Sequence, residues 1–298
     1  MHGIYFGRKW LAAQSTLPPI LYVSSEAHYS VQKLGDILNI ETRVIQSQSS
    51  ETMDGAMDTD DFRRQLDPKR PALVAIAIGG TFRGAIDDQR RIAAVLDDVR
   101  PIAVYRHVDA ALFGGYLPWH DDPKAREIVN AAVMGFDSIA VSGHKFFAMN
   151  EPAGAFLCRR KILDSIHAMQ VPYLNGAIPT ISCSRSGFDA LKFCWRIMTT
   201  GDDGFRAETR HVLAMTQLLK EELERRGVPV MVNPLSTTVC FPRPADDVVH
   251  EYSMACTTST RFGPIAHVVV MQYFTPELIE RLAESVCGQN TSFDTKPT

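Results

Sequence analysis

Three short apolar runs follow one another along the middle of the chain: "LVAIAIGG" (residues 73–80), "IAVYRHVDA" (102–110) and "SIAVSGHK" (138–145). Between the first two lies the helical pattern "DDQRRIAAVLDDV" (87–99). Runs that are apolar throughout suit strands buried on both faces, and strands that alternate with helices form a mostly parallel sheet covered by helices. That pattern also says where chemistry belongs, because open α/β sheets bind ligands beyond the carboxyl ends of their strands. Polar residues stand at those ends: Thr81 after the first run, Asp109 closing the second, Ser142, His144 and Lys145 closing the third. A further segment, "SSEAHYS", adds His28.

Past about Ala190 the pattern changes. A long helix is expected over residues 205–226, ended by Gly227 just beyond its last turn, followed by strand candidates "VPVMV", "TTVCF" and "AHVVVM". A last helix has Thr275 as N-cap, Pro276 at its first position and Glu277 in its first turn. The expected layout is therefore a large α/β domain (1–190) and a small α+β domain (191–298).

With a formal net charge of -3, a pI near 6.3 and no polybasic tract, the 298 residues carry no footprint for nucleic acid or an anionic membrane. The six cysteines are irregularly spaced with no CxxC pair, which points to reduced thiols and no zinc or redox site. His120 beside Asp121 and Asp122 reads as a solvated turn, so no metal is expected. No signal sequence or membrane span is legible, and a cytoplasmic protein is expected.

Each polar residue has an ordinary reading on its own: His28 as a helix start, Thr81 as a turn residue, Asp109 as a cap, Lys145 as a solvated cation. Together they make a more demanding set. A lysine that condenses with an aldehyde and an aspartate that pairs with a pyridinium nitrogen are the groups by which proteins hold pyridoxal phosphate. Such a lysine needs its charged form disfavoured by burial or nearby cations. The aspartate must stay ionised, a flat imidazole such as His28 can stack on one ring face, and the small Ala111 leaves room on the other.

The motifs "EAHYSVQK", "GGTFRGAIDD", "HVDAALFGGYLPW", "DSIAVSGHK" and "ISCSRSG" occur in that order between Glu26 and Gly187, and "AHVVVMQYFTPELIERL" follows. In these motifs the chain resembles the group II pyridoxal-phosphate-dependent decarboxylases, most of all the bacterial histidine decarboxylase branch, which includes serine-decarboxylating relatives. The resemblance implies the type I, aspartate aminotransferase-like α/β fold, a homodimer, and a carboxy-lyase that turns an L-amino acid into its amine and carbon dioxide. It implies that Lys145 carries the cofactor, Asp109 pairs with the ring nitrogen, His28 stacks on the ring and Ala111 lies under it. Thr81 is similar to the threonine near the 3-hydroxyl, and Ser142 and His144 to the phosphate-side contacts. Tyr173, twelve residues before Arg185, has the spacing of the family's mobile-loop tyrosine, a proton donor.

The sequence departs from the family in three places. Relatives carry a further segment ahead of the position of Met1, with a Gly- and Thr-containing stretch that helps cradle the phosphate, and the resemblance therefore implies a phosphate site short of backbone donors. "FFAMNEPAG" replaces a run ending in a Cys-Gly pair, with Ala148, Met149 and Ala153 making that wall bulkier or less polar. Ala177, Ile178 and Pro179 stand where relatives have polar residues. These changes keep two other outcomes in view: an aldehyde-forming or transaminating enzyme on the same cofactor, and a non-catalytic relative.

Overall fold

The computed structural model describes residues 1–49, 53–166, 169–174, 176–259 and 262–288. Its larger sheet is built from β1 (Ile20–Ser24), β2 (Glu41–Ile45), β3 (Ala72–Ala77), β4 (Val104–Asp109), β5 (Ser138–Ser142) and β6 (Gly154–Cys158). Their order is β2-β1-β3-β4-β5-β6, and every neighbouring pair is parallel except β5 with β6. The expected parallel core is present, closed at one edge by an antiparallel strand. Strand order reverses between β1 and β3, which opens a crevice at the carboxyl ends of those strands.

Alternation along the strands feeds two cores. Tyr22, Val74, Ile76 and Val108 pack in one layer, and Leu21, Val23, Leu73, Ala75 and Tyr105 in the other, all of them buried. The second layer is roofed by the helix His2–Ala12. That helix lies so close to β4 that a Cβ on Gly3 would fall 2.2 Å from the His107 ring, so glycine is required there.

The helix after β3 spans Gln89–Val99, two residues short of the expected start, and the reason is Asp87. Its carboxylate is buried and accepts the N–H groups of Met57 and Ala77, each at 2.7 Å, leaving Asp88 to cap the helix.

The long helix begins earlier than expected and runs Gly187–Arg225, with a bend at Gly201 (φ 60, ψ 178) that only glycine adopts readily. The glycines at 201 and 204 conceal this continuity in the sequence. Gly227 follows at φ +80, in the role expected of it. The expected boundary at residue 190 falls in the first turn of this helix. Ahead of it, β7 (Met169–Val171) and β8 (Gly176–Ile178) form a small antiparallel pair with Tyr173 between them; the side chain of Ala177 lies outside those described.

The smaller sheet has the order β10-β11-β9 and is antiparallel: β9 is Thr238–Pro242, β10 Ala255–Ser259 and β11 Gly263–Val269. One face, including Val239, Phe241 and Ala266, packs with Leu219 and Leu223 of the long helix and with Ile279 and Leu282 of the final helix Pro276–Cys287. Thr275 caps that final helix as expected, accepting the N–H of Leu278 at 3.3 Å. "VPVMV" forms no strand beyond a single bridge, Met231 with Cys240, since Pro229 has no N–H to offer a ladder. β10 carries no apolar alternation (Cys256, Thr257, Thr258) and was not legible as a strand. No helix among the described residues is long and apolar enough to cross a membrane.

Candidate active site

Four strand ends of the larger sheet converge on one cavity of about 900 Å³, within the usual range for small-molecule sites. From β1 comes His28, which caps the helix Tyr29–Ile37: its Nδ1 takes the Ser30 N–H at 3.3 Å and lies 2.7 Å from the Ser30 hydroxyl. The helix-start reading and the cavity reading of this residue thus hold together, because the cap turns the ring toward the crevice it lines. From β3 the chain passes through Gly79 and Gly80 to Thr81. Gly79 has φ +94, and a Cβ there would meet the Phe113 ring at 2.3 Å.

Asp109 ends β4 and is followed by Ala110 and Ala111. Ser142 ends β5, its N–H donating to the Ala111 carbonyl at 2.9 Å, and the turn beyond it carries His144 and Lys145. All these expected residues, His28, Thr81, Asp109, Ala111, Ser142, His144 and Lys145, line the same cavity. Tyr173 does not; it is 84% exposed.

The electrostatics are spare. Among the described residues lining the cavity, Asp109 and Lys145 are the charged side chains. Lys145 makes no ion pair within 4.0 Å among the described residues. Burial lowers its pKa from the ordinary lysine value, and the charge of Asp109 opposes that shift. The His28 pKa is also lowered, first by burial and then by Lys145.

Beneath Asp109 lies a residue the sequence reading passed over. His107 is two positions earlier on β4, on the same face of the strand, and is 4% exposed. Its Nδ1 is 2.8 Å from the Ser138 hydroxyl, which also accepts the Tyr105 hydroxyl at 2.9 Å. With Tyr105 donating, the Ser138 proton goes to Nδ1 and the ring N–H sits on Nε2. Burial takes the pKa of His107 down to about 4, with Asp109 opposing, so the ring is neutral at pH 7. The signal was available in "HVDA", where spacing by two places both side chains on one strand face.

The second residue passed over is His267 of β11. It lines the cavity from the opposite side, 2.6 Å through Nδ1 from the Phe82 carbonyl and 4.3 Å from the Phe82 ring centroid. Only the alternation of "AHVVV" with a polar residue on one face could have marked it.

The residues fit pyridoxal phosphate. The cavity pairs a half-buried amine of lowered pKa with one carboxylate, an imidazole on one wall and an alanine on another. Ser142 and His144 offer polar groups beside them, with His144 Nδ1 3.3 Å from the Ala153 carbonyl.

Fold and cavity together are those of the α/β class that holds pyridoxal phosphate. The chain belongs to the pyridoxal-dependent decarboxylase family, whose conserved domain matches residues 7–243. It is 33% identical to serine decarboxylase 1 of Oryza sativa subsp. japonica over 95% of its own length and 57% of the relative's. It is 30% identical to histidine decarboxylase of Morganella morganii over 96% of its own length and 72% of the relative's. It therefore spans little more than half of the rice protein. The solved structure of L-methionine decarboxylase from Streptomyces sp. 590 shares the fold at 18% identity, with a TM-score of 0.79 over 97% of this chain and 75% of that one. Glutamate decarboxylase of Lactobacillus brevis does so at 18% identity, with a TM-score of 0.78 over 96% and 69%.

Proposed function

We propose that the chain holds pyridoxal phosphate on Lys145 and decarboxylates an L-amino acid, in the manner of histidine or serine decarboxylases, to the amine and carbon dioxide. The observation that carries this reading is that Lys145 and Asp109 line one cavity whose described lining has no other charged side chain. When bound, the cofactor supplies a ring that can take up the electrons left as the carboxylate departs.

The protein's own groups do the rest. Asp109 would hold a proton on the ring nitrogen, His28 would stack on one ring face and Ala111 would leave room at the other. Thr81 would serve the 3-hydroxyl, and Ser142 with His144 the phosphate. Lys145, its amine less readily protonated than an exposed lysine's, would be the residue that holds the cofactor covalently. A proton-donor role for Tyr173 requires its hairpin to come over a cavity mouth.

The exposed position of Tyr173 favours one second reading, in which protonation takes another course and the product is an aldehyde, formed by oxidative deamination with dioxygen as the oxidant, or the carbonyl product of a transamination. The test is incubation with pyridoxal phosphate and a panel of L-amino acids, followed by mass spectrometry. Amine with carbon dioxide supports decarboxylation; aldehyde with ammonia supports the second reading.

The reading includes a cytoplasmic homodimer. Phe188, Leu191, Trp195 and Met198 recur at helical spacing on the first arm of the long helix, each between 60% and 76% exposed. A contiguous apolar stripe of that kind suits a surface covered by a second copy of the chain.

A further inference from the structure

We propose that Nε2 of His267 is the acceptor that selects the substrate side chain, favouring an L-amino acid that ends in a hydroxyl or azole N–H over an apolar isostere. The inference rests on the amino-acid decarboxylase reading above and adds to it the residue that reads the side chain.

The tautomer is fixed by chemistry. A carbonyl oxygen can only accept, so at 2.6 Å from Phe82 the Nδ1 of His267 must be the donor. In the neutral ring the remaining nitrogen, Nε2, then carries a lone pair. Burial lowers the pKa of this histidine, with the Phe82 hydrogen bond opposing, which keeps the ring neutral near pH 7.

Register places the His267 side chain on the face of the sheet that it shares with Thr238 and Val269. His267 faces Cys240, and Val269 faces Thr238, across the β11–β9 pair. Thr238, His267 and Val269 line the cavity, while their neighbours Val239, Phe241 and Ala266 are in the core behind. Phe82, which His267 grips, is the residue after Thr81, so the ring bridges from the smaller sheet to the loop expected at the cofactor.

Of the other imidazoles of the cavity, His28 accepts the Ser30 N–H through Nδ1, which leaves the proton on its Nε2, and His107 is tied to Ser138. His144 lies against Ala153 and is exposed, and His2, stacked on Phe156 at 5.7 Å, has an Nε2 that is buried without a hydrogen-bond partner.

Charge narrows the substrate from the other direction. With Asp109 and Lys145 assigned to the cofactor, an acidic side chain would find no side-chain cation among the described lining residues, the α-amine of Met1 being drawn to Asp109, and a basic one no carboxylate. A neutral side chain remains. A donor on it satisfies Nε2, whereas an apolar isostere leaves that lone pair without a partner, the situation that gives hydrogen-bonding sites their strong discrimination.

The test uses matched pairs: L-serine against L-2-aminobutyrate, and L-histidine against L-3-(2-thienyl)alanine. Binding is read as the change in absorbance of the cofactor-loaded protein on titration, and turnover is measured separately. At least one donor-bearing partner should bind about tenfold or more tightly than its isostere. His267→Asn, which keeps an N–H for Phe82 and lacks Nε2, should bring that ratio to near one while leaving thermal stability unchanged. A ratio near one in the unaltered protein, or a ratio that His267→Asn does not move, overturns the inference. If the ratio behaves as expected but no amine is formed, the selectivity assignment stands and the decarboxylase reading falls.

Discussion

Arg196 and Glu208 grip one another across the bend of the long helix, with one guanidinium nitrogen 2.8 and 2.6 Å from the two carboxylate oxygens. The same arginine donates to the Phe147 carbonyl at 3.2 Å. Gln272 joins the group, its amide nitrogen 2.6 Å from the Phe146 carbonyl and 3.2 Å from Glu208. The two residues after Lys145 are thereby bound to both arms of the helix and to the segment after β11. Glu208→Gln leaves the shape and removes the charge. Both partners are about a quarter exposed, so the expected loss is about 1 kcal/mol, a fall of about 2–4 °C in Tm. An unchanged melting curve would show that the knot contributes nothing.

Lys145 should be the lysine that bonds to the cofactor. After mixing with pyridoxal phosphate and reduction with borohydride, peptide mapping should find the label on the peptide containing Lys145. Lys145→Ala should abolish it. Labelling centred on any other lysine sinks the assignment.

Asp109 should act through its charge. Asp109→Asn keeps the size and loses the ion partner of the ring nitrogen, a charge-assisted bond of about 1.5 to 3 kcal/mol, or about ten- to 150-fold in rate. Circular dichroism should stay unchanged. Turnover within twofold of the parent would rule the role out.

Asp87 should make the protein less stable as pH rises. Burial pushes its carboxyl up to about 6, the N–H groups of Met57 and Ala77 opposing. The folded state therefore binds the proton more tightly than the unfolded chain. Its contribution is present below about pH 4 and is lost as pH climbs to about 6, by about 3 kcal/mol. Urea titrations of the parent and Asp87→Asn at pH 4.5 and 6.5 should differ in this sense; a stability difference independent of pH would refute it.

Trp195 should lie in a subunit interface. Trp195→Glu, placed in the middle of the exposed apolar stripe, should shift the sedimentation coefficient from dimer toward monomer with the fold intact. A mass unaffected by the substitution would clear this face of the role.

The strand ends that carry the site were legible because period and polarity coincide there: each of β3, β4 and β5 is an apolar run that stops at a residue with chemistry. The smaller sheet was read in part, since Pro229 sits in a run that otherwise looks like a strand while β10 is a polar edge with no pattern. Gly201 hid the first arm of the long helix, because a glycine reads as an end when it is a bend. His107 and His267 were passed over for a different reason. Each acquires its meaning from a partner distant in sequence, Ser138 for one and Phe82 for the other, and no local pattern encodes such a pairing.

The smaller sheet and its flanking segments are tied to the larger sheet's loops by hydrogen bonds of great sequence separation. Asp54 with Asn233 spans 179 residues, Phe82 with His267 spans 185 and Phe146 with Gln272 spans 126. Closing loops of that length costs chain entropy before any contact rewards it, and structures rich in such closures fold slowly. The larger sheet draws on neighbours much nearer in the chain, so a refolding molecule pairs its strands before it encloses a pocket. Time, as well as geometry, is then expected to separate the two halves of this site: the lysine's own strand should be in place early, and the wall that faces it should arrive last.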